Sequence, residues 1–293
     1  MREQKHIFPS AGVACSACLY LPDNEDPPVI LMGQGFGAER QMGTGSFIRA
    51  FVEAGYAVFS FDYRSFGESQ GQPRQYVHPG RHCEDWYSAL QYLRSLSSID
   101  NQRVALWGSS FAGGHVLVTA ARDQRVAGVI SQVPFCSGRA AAKSMSLGKM
   151  LKSLGHALLD RLFSLFGREH RVALIAEPGQ GFAVMDWPGW HRDYMKIVAD
   201  SPSWSNSMPA RALLSTAGYN PIDSAANIKC PVLMISGRND QGVSREAILA
   251  TAEKIPRCNH VEWEFDHFDL YEGFALHDEA LQLELDFLRE VFA

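Results

Sequence analysis

The sequence has 293 residues, of which 46% are hydrophobic and 20% charged, and its formal net charge is −5 at pH 7. This length fits one large α/β domain or two small ones, and the apolar fraction allows a substantial core. The acidic balance and the lack of a basic block argue against nucleic acid or a membrane surface as a partner.

The amino-terminal residues predict one edge of a sheet. Residues 1–6 are polar and lack the apolar core of a signal peptide, so we expect a cytoplasmic protein. Lys5–Phe8 and Val13–Leu21 are strand-like and predict a hairpin. Cys15 and Cys18 have the spacing of a metal site, but side chains three apart on a strand point to opposite faces. We therefore expect all six cysteines to be free thiols, with no metal bound.

Buried strands and helices then alternate. Val29–Met32 and Ala57–Phe61 are continuous apolar runs, typical of strands buried on both faces. The Gly-rich loop Gly33–Gly45 and a predicted helix over Phe47–Ala54 lie between them. Asp62–Arg81 is rich in Gly, Gln and Pro and predicts a loop.

The same alternation continues to the carboxyl end. Glu84–Leu96 has apolar residues on one helical face, and Val126–Val133 predicts a further strand. Two strands and two helices follow near the end of the chain: Pro231–Ser236, Ser244–Lys254, Val261–Phe265 and Glu279–Phe292. Together these elements predict an α/β fold on a mostly parallel, doubly wound sheet of about eight strands.

Residues 134–229 interrupt this alternation and are far longer than a usual connection. We expect an inserted cap subdomain here, on a core domain formed by residues 1–133 and 230–293. Ser144–Phe166 is amphipathic, and we expect it to pack on the main domain rather than on a membrane surface. A group of aromatic residues in the insertion suits a roof over a substrate pocket: Trp187, Trp190, Tyr194 and Trp204.

One short motif points to chemistry. Gly108–Ala112 fits the pattern G-x-S-x-G with alanine in the last place, between an apolar strand-like run and a helix of small residues. Ser110 is then the predicted nucleophile, and the Phe111 N–H at the helix N-terminus is a predicted oxyanion donor. Taken alone, the pentapeptide could also be a Gly/Ser-rich connection without chemistry.

A serine nucleophile needs a base, and the base needs an acid to orient it. In this architecture the partners follow in the order serine, acid, histidine, each on a turn after a strand. His267 lies just beyond the last predicted strand, and Asp240 lies in the turn after the preceding one. Only Asp240 combines the turn with the right order, but three other aspartates are alternatives for the acid: Asp223, Asp266 and Asp269.

The loop after residues 29–32 has two interpretations. Gly33–Gly37 lets the backbone approach a substrate, so the Phe36 N–H is the predicted second oxyanion donor. The spacing G-x-G-x-x-A from Gly33 to Ala38, with Asp62 after the next strand, also matches a dinucleotide fingerprint. That fingerprint needs a helix opening directly on the glycines, whereas here the helix is predicted to start near residue 46. A dehydrogenase would also leave the serine motif and the histidine without a role, so we expect no organic cofactor.

These features resemble the α/β-hydrolase superfamily over the whole chain apart from the insertion. Within it, the sequence is similar to a branch that includes fungal polyketide transferases and dienelactone-hydrolase-like or peptidase-like proteins. The resemblance implies an α/β-hydrolase fold with an inserted helical cap. One departure concerns the oxyanion loop, where many relatives begin with His-Gly and this chain has Gln34-Gly35. The resemblance rests on five segments: Gly33–Gly37, Asp62–Ser69, Gly108–Ala112, Gly237–Asp240 and His267.

The sequence therefore predicts a serine hydrolase that cleaves an ester or thioester of a small acyl compound through a Ser110 acyl-enzyme. A serine in the motif argues against dehalogenases and epoxide hydrolases of this fold, which use a carboxylate nucleophile. Two alternatives stay open. One is an acyltransferase that uses the same acyl-enzyme, and the other is a non-catalytic ligand-binding protein on the same fold.

Overall fold

The computed structural model describes residues 1–198 and 201–293, and its largest feature is an eight-stranded sheet. A second, three-stranded sheet lies within the insertion. The strands are β1 (Arg2–Ser10), β2 (Val13–Leu21), β3 (Pro28–Gly33), β4 (Ala57–Phe61), β5 (Asp100–Ser109), β6 (Gly128–Gln132), β7 (Arg171–Ile175), β8 (Ala183–Met185), β9 (Met208–Pro209), β10 (Val232–Gly237) and β11 (Cys258–Trp263).

Helices cover the sheet and fill much of the insertion. Short 3₁₀ turns at Pro221–Asp223 and Ala225–Asn227 lead back to the sheet. The α-helices are α1 (Gly45–Glu53), α2 (Pro79–Leu93), α3 (Phe111–Arg122), α4 (Gly138–Ser144), α5 (Leu147–Ser164), α6 (Trp190–Val198), α7 (Ala212–Thr216), α8 (Arg245–Lys254) and α9 (His277–Phe292). In the described part of the chain, none of these is long and apolar enough to cross a membrane.

The large sheet has the order β1-β2-β4-β3-β5-β6-β10-β11. The β1–β2 and β2–β4 pairs are antiparallel, and every other pair is parallel. Strands β3, β4, β6 and β10 are buried along their whole length, as continuous apolar runs require. This confirms the predicted doubly wound sheet of about eight strands. Because β3, β5, β10 and β11 run parallel, the loops after them meet at one edge.

Residues 134–229 lie outside the large sheet. They hold α4 to α7 and also the small sheet, in the order β8-β7-β9, so the insertion is not only helical as expected. The helix predicted over 144–166 is α5, which begins three residues later than predicted, and a separate short helix, α4, ends at Ser144. The break falls at Met145, which is extended, and the Ser146 hydroxyl then accepts a hydrogen bond from Lys149 N and caps α5.

Two element boundaries differ from the sequence prediction for local reasons. Helix α2 begins at Pro79 rather than near residue 84, because proline suits the first helical position and the His78 side chain accepts from Arg81 N. Strand β11 ends at Trp263, two residues before the predicted end. The turn that follows it is therefore longer than expected.

Candidate active site

Ser110 lies on the sharp turn between β5 and α3. Its backbone has φ 60° and ψ −118°, a conformation that non-glycine residues rarely adopt. The turn is tight because α3 starts directly against β5: a Cβ added to Gly108 would lie 2.5 Å from the carbonyl oxygen of Ala112. The strand and helix thereby project the serine hydroxyl at the carboxyl edge of the sheet.

The structure brings the three predicted catalytic side chains together. Ser110 Oγ lies 2.9 Å from His267 Nε2, and His267 Nδ1 lies 2.6 Å from Asp240 Oδ2. The side chains of His267 and Asp240 are only 5% and 1% exposed. In addition, Asp240 Oδ1 accepts from Gly242 N at 2.8 Å, which fixes the carboxylate plane. A base and its acid held this way can take the serine proton.

The three aspartates that were alternatives for the acid have structural roles instead. Asp266 Oδ1 accepts from His267 N at 2.8 Å, and Asp269 Oδ2 accepts from Asp266 N at 2.9 Å, so both shape the turn that carries the histidine. Asp223 forms a surface ion pair with Arg139. None of the three contacts the His267 ring through its carboxylate.

The loop after β3 passes beside the nucleophile. A Cβ added to Gly35 would lie 3.0 Å from Ser110 Cβ, so a larger residue here would crowd the serine. Phe36 packs its ring edge-on against Phe111 at 5.3 Å between centroids. Within residues 1–198 and 201–293, neither Phe36 N nor Phe111 N donates a hydrogen bond to another residue. Both backbone donors are therefore free of protein acceptors, as the predicted oxyanion role requires.

Gln34 holds this loop from within. Its side chain donates to Met42 O, its Oε1 accepts from Gly35 N at 3.3 Å, and its carbonyl accepts from Tyr63 Oη at 2.9 Å. The buried glutamine thus supports the loop backbone that presents the Phe36 N–H.

The loop after β4 braces the same region, a role that the sequence analysis did not assign to it. Asp62 accepts from Arg40 N at 2.8 Å and from Glu68 N at 3.2 Å, and its Oδ2 lies 3.3 Å from Arg40 Nε. Burial raises the pKa of Asp62, and these backbone and guanidinium contacts oppose that shift. The acidic, aromatic and basic residues of this loop indicate a network of polar contacts. The sequence does not show that Arg40, which lies in a different loop, is the partner.

Residues of the insertion cover the nucleophile. A small cavity of about 20 Å³ lies over Ser110, room for about one water molecule. The insertion contributes Met185, Tyr194 and Ile197 to its wall, and the core contributes Phe268 and Tyr271 among others. The lining is mainly apolar.

Two hydrogen bonds fasten the insertion to the oxyanion loop. Tyr194 Oη donates to Phe36 O at 3.2 Å, and Trp204 Nε1 donates to Gly37 O at 2.9 Å. Burial keeps the pKa of Tyr194 well above its usual value, so the phenol stays a donor. The Leu174 side chain, from β7, also packs directly over Gly37.

Trp190 joins the insertion to His267. Its ring stacks on the His267 imidazole, with 4.6 Å between centroids and 24° between planes. The same indole lies against the turn of the acid, since a Cβ added to Gly242 would overlap it. The sequence marked Trp190 only as one aromatic residue of the insertion, because nothing local shows which aromatic meets the histidine.

A nucleophile turn after the central strand, an acid and a histidine on later turns, and an eight-stranded, mostly parallel sheet define an α/β-hydrolase. A profile of the X-Pro dipeptidyl-peptidase (S15) family matches residues 11–265. The chain therefore belongs to this family of α/β-hydrolases.

Curated relatives and solved structures agree with this class. The quorum-quenching protein AidA of Acinetobacter baumannii is 37% identical over 97% of this chain and 93% of its own length. The thiohydrolase aneE of Aspergillus aculeatus is 35% identical over 96% and 91%, and the polyketide transferase af380 of Aspergillus fumigatus is 26% identical over 99% of both chains. The structure of DcsB in complex with its substrate analogue superimposes with a TM-score of 0.86 over 99% of both chains at 24% identity, which shows a shared fold. The family and the hydrolase relatives identify the chain as a hydrolase enzyme.

Proposed function

We propose that this enzyme cleaves an ester or thioester of a small acyl compound through a covalent acyl-enzyme on Ser110. The observation that carries the proposal is the pair of short distances that links Ser110 through His267 to Asp240. A serine hydroxyl attacks a carbonyl only when a base is within reach of its proton. The thiohydrolase name of one relative supports the same class of substrate.

In the proposed acylation, Ser110 Oγ attacks the carbonyl carbon while His267 Nε2 takes the hydroxyl proton. Asp240 holds the imidazole tautomer and stabilises the imidazolium. The carbonyl oxygen becomes an oxyanion, which the Phe36 and Phe111 N–H groups stabilise. When the tetrahedral intermediate collapses, the bond to the leaving oxygen or sulfur breaks, and His267 gives that atom its proton.

Deacylation repeats these steps with water. His267 takes a proton from the water molecule, whose oxygen attacks the acyl carbon, and the second tetrahedral intermediate expels Ser110 Oγ. The proton on His267 then returns to the serine. The free acid leaves, and no metal or organic cofactor takes part in any step.

We further propose that residues 134–229 act as a cap on a core of residues 1–133 and 230–293. The contacts of Tyr194 and Trp204 with the oxyanion loop support this division. The cavity over Ser110 holds about one water molecule, so we expect the cap to move when an acyl group enters. Its apolar lining favours an apolar acyl chain. The six free cysteines suit a reducing compartment, which supports a cytoplasmic location.

Acyl transfer is the second candidate. A small, mainly apolar pocket limits water at the acyl-enzyme, and the polyketide transferase relative fits this chemistry. Product analysis with and without an alcohol or amine acceptor separates the two functions. Formation of the acyl-acceptor product faster than the free acid would favour transfer.

Covalent labelling tests the proposal and also addresses a non-catalytic role. The folded enzyme is treated with a fluorophosphonate probe, and the modified peptide is identified by mass spectrometry. A series of p-nitrophenyl esters and acyl thioesters of graded length then defines the substrate. We expect an adduct on Ser110 and turnover of at least one ester, whereas folded protein without either would contradict the proposal.

A further inference from the structure

Helix α5 and the turn that follows it present a row of large apolar side chains to solvent. They are between 39% and 74% exposed, although the sequence predicted that this side would pack on the main domain. A contiguous patch of this kind is rare on monomeric proteins and marks an interaction site. The row consists of Leu147, Met150, Leu151, Leu154, Leu158, Leu159, Leu162, Leu165 and Phe166.

The opposite side of α5 is anchored to the rest of the insertion, which fixes the direction of this row. Asp160 is fully buried and accepts from His170 N at 2.7 Å and from Arg211 N at 2.9 Å. His156 Nδ1 lies 2.8 Å from His170 Nε2, and Lys149 pairs with Asp186. The helix cannot rotate to bury its leucines without breaking these contacts.

The spacing of the exposed leucines favours another helix as the occupant. Successive leucines of the seam are four, three, four, four and three residues apart, close to the repeat of a coiled-coil seam. Gly148 and Gly155, with open space above both, border this seam and allow a second backbone to approach closely. The seam consists of Leu147, Leu151, Leu154, Leu158, Leu162 and Leu165.

We propose that the enzyme forms a homodimer in which α5 packs against α5 of a second copy. A pair related by a two-fold axis across the helix buries the same patch on both copies, as closed dimers do. The two helices then run antiparallel.

The area of the patch fits a stable dimer. Taking roughly 180 Å² for a large apolar residue, the exposed fractions amount to about 900 Å² per chain, close to the ~800 Å² that each partner buries in a standard interface. A bilayer is the competing occupant, because Lys152, Arg161 and Arg168 are exposed near the row. An amphipathic helix on a lipid surface has the same three-four spacing but has no need of the glycine border, so the second copy accounts for more of the surface.

The test compares matched double variants of the full-length enzyme. Leu154→Glu with Leu158→Glu places charges in the middle of the seam. Ile7→Glu with Leu249→Glu adds the same charge at two exposed apolar residues elsewhere. Sedimentation and light scattering at micromolar concentration give the molecular mass, and circular dichroism confirms that each variant is folded.

We expect the unmodified enzyme and the control to have twice the 32.5 kDa mass of one chain. The seam variant should be a folded monomer, with a dimer dissociation constant raised at least about 100-fold. A monomeric unmodified enzyme, or a dimer that the seam variant leaves intact, would overturn the proposal. If the unmodified monomer floats with phosphatidylglycerol vesicles and the seam variant does not, the surface binds lipid instead.

A mixing experiment tests the pairing of the helices directly. A second seam variant carries Leu154→Lys and Leu158→Lys. Mixed with the glutamate variant, it should restore a dimer, because opposite charges then face each other across the seam. Recovery of the dimer in the mixture alone supports α5–α5 pairing, and two persistent monomers contradict it.

Discussion

Ser110 is held in a strained backbone conformation, with φ 60°. Such conformations cost on the order of 1–3 kcal/mol and persist only where the surroundings fix them. Here the backbone on both sides is fixed, since Ser110 N donates to Gln132 O and its carbonyl accepts from Phe135 N, both at 2.9 Å. The strain keeps the hydroxyl pointed at His267 before any substrate binds.

Ser110→Ala should abolish both turnover and labelling by a fluorophosphonate probe. Loss of a serine nucleophile lowers kcat by about 10⁵–10⁶-fold in enzymes of this type. The matched control is Ser109→Ala, because Ser109 is buried and accepts from Tyr271 Oη at 2.9 Å rather than facing the pocket. In-gel fluorescence should show labelling of the control, and a labelled Ser110→Ala protein would refute the assignment.

Asp240→Asn should lower kcat about 10⁴-fold while leaving the fold intact. The amide can donate toward Nδ1, which favours the imidazole tautomer that cannot accept the serine proton. Asp223→Asn serves as the control, because that carboxylate lies on the surface in an ion pair with Arg139. Steady-state kinetics on one ester decides the question, and an Asp240→Asn enzyme with normal kcat would mean that another group orients His267.

At the scale of elements, α6 places Trp190 on the ring of His267. Trp190→Ala should lower kcat about 10- to 100-fold, because the imidazole loses the surface that holds its plane. Trp190→Phe keeps an aromatic surface and should recover most of that loss. Trp187→Ala is the matched control, since Trp187 packs on Trp190 at 4.6 Å but not on His267.

Separate effects on kcat and KM distinguish a positioning role of Trp190 from a substrate-binding role. A positioning role lowers kcat and slows fluorophosphonate labelling, with the thermal midpoint of the Trp190→Phe enzyme near that of the unmodified protein. A change in KM alone, or equal effects of the alanine variants at 187 and 190, would contradict this role.

The sequence predicted those elements that a short stretch of residues identifies without any distant contact. Apolar runs such as Val29–Met32 identify buried strands by themselves, and the strand–turn–helix pattern around Ser110 identifies the sharp turn. The short strands of the insertion were missed, because β8 and β9 have three and two residues and depend on β7 for pairing. Periodicity along α5 indicated an apolar side, but periodicity cannot show whether the same chain covers that side.

The candidate site also has a part that the sequence predicts and a part that it does not. Chain order and position after a strand sufficed to select Ser110, Asp240 and His267, which the structure brings within hydrogen-bonding distance. The contacts of Trp190 with His267 and of Arg40 with Asp62 join residues far apart in sequence. No local pattern encodes such contacts, because they depend on how the insertion and the loops settle on the sheet.

At the scale of the whole molecule, Glu284 ties α9 to the centre of the sheet. Its carboxylate is fully buried, accepts from Trp107 Nε1 of β5 at 3.0 Å and accepts from Gln132 Nε2 of β6 at 2.6 Å. Burial raises its pKa to about 8, so the folded enzyme holds a proton on this group near neutral pH. An unfolded chain releases that proton above about pH 4.3.

Stability should therefore fall as the pH rises from about 4.3 through about 8, because the folded state binds a proton that the unfolded state has lost. The contribution of this one group is on the order of 4–5 kcal/mol across that window. Glu284→Gln keeps the shape and an acceptor for Trp107 but cannot ionise. Its free energy of unfolding should decline less between about pH 5 and pH 8.5 than that of the unmodified enzyme.

Urea unfolding at a series of pH values measures this difference directly. Glu290→Gln is the matched control, because Glu290 lies on the exposed side of the same helix. Subtracting each variant from the unmodified enzyme cancels the other titrating groups, including Asp85, whose burial raises its pKa to about 6. A flat difference for Glu290→Gln, and for Glu284→Gln a difference that falls as the pH rises, would assign the effect to the buried carboxyl. Parallel curves for all three proteins would show that Glu284 keeps the same protonation state in the folded and unfolded chains.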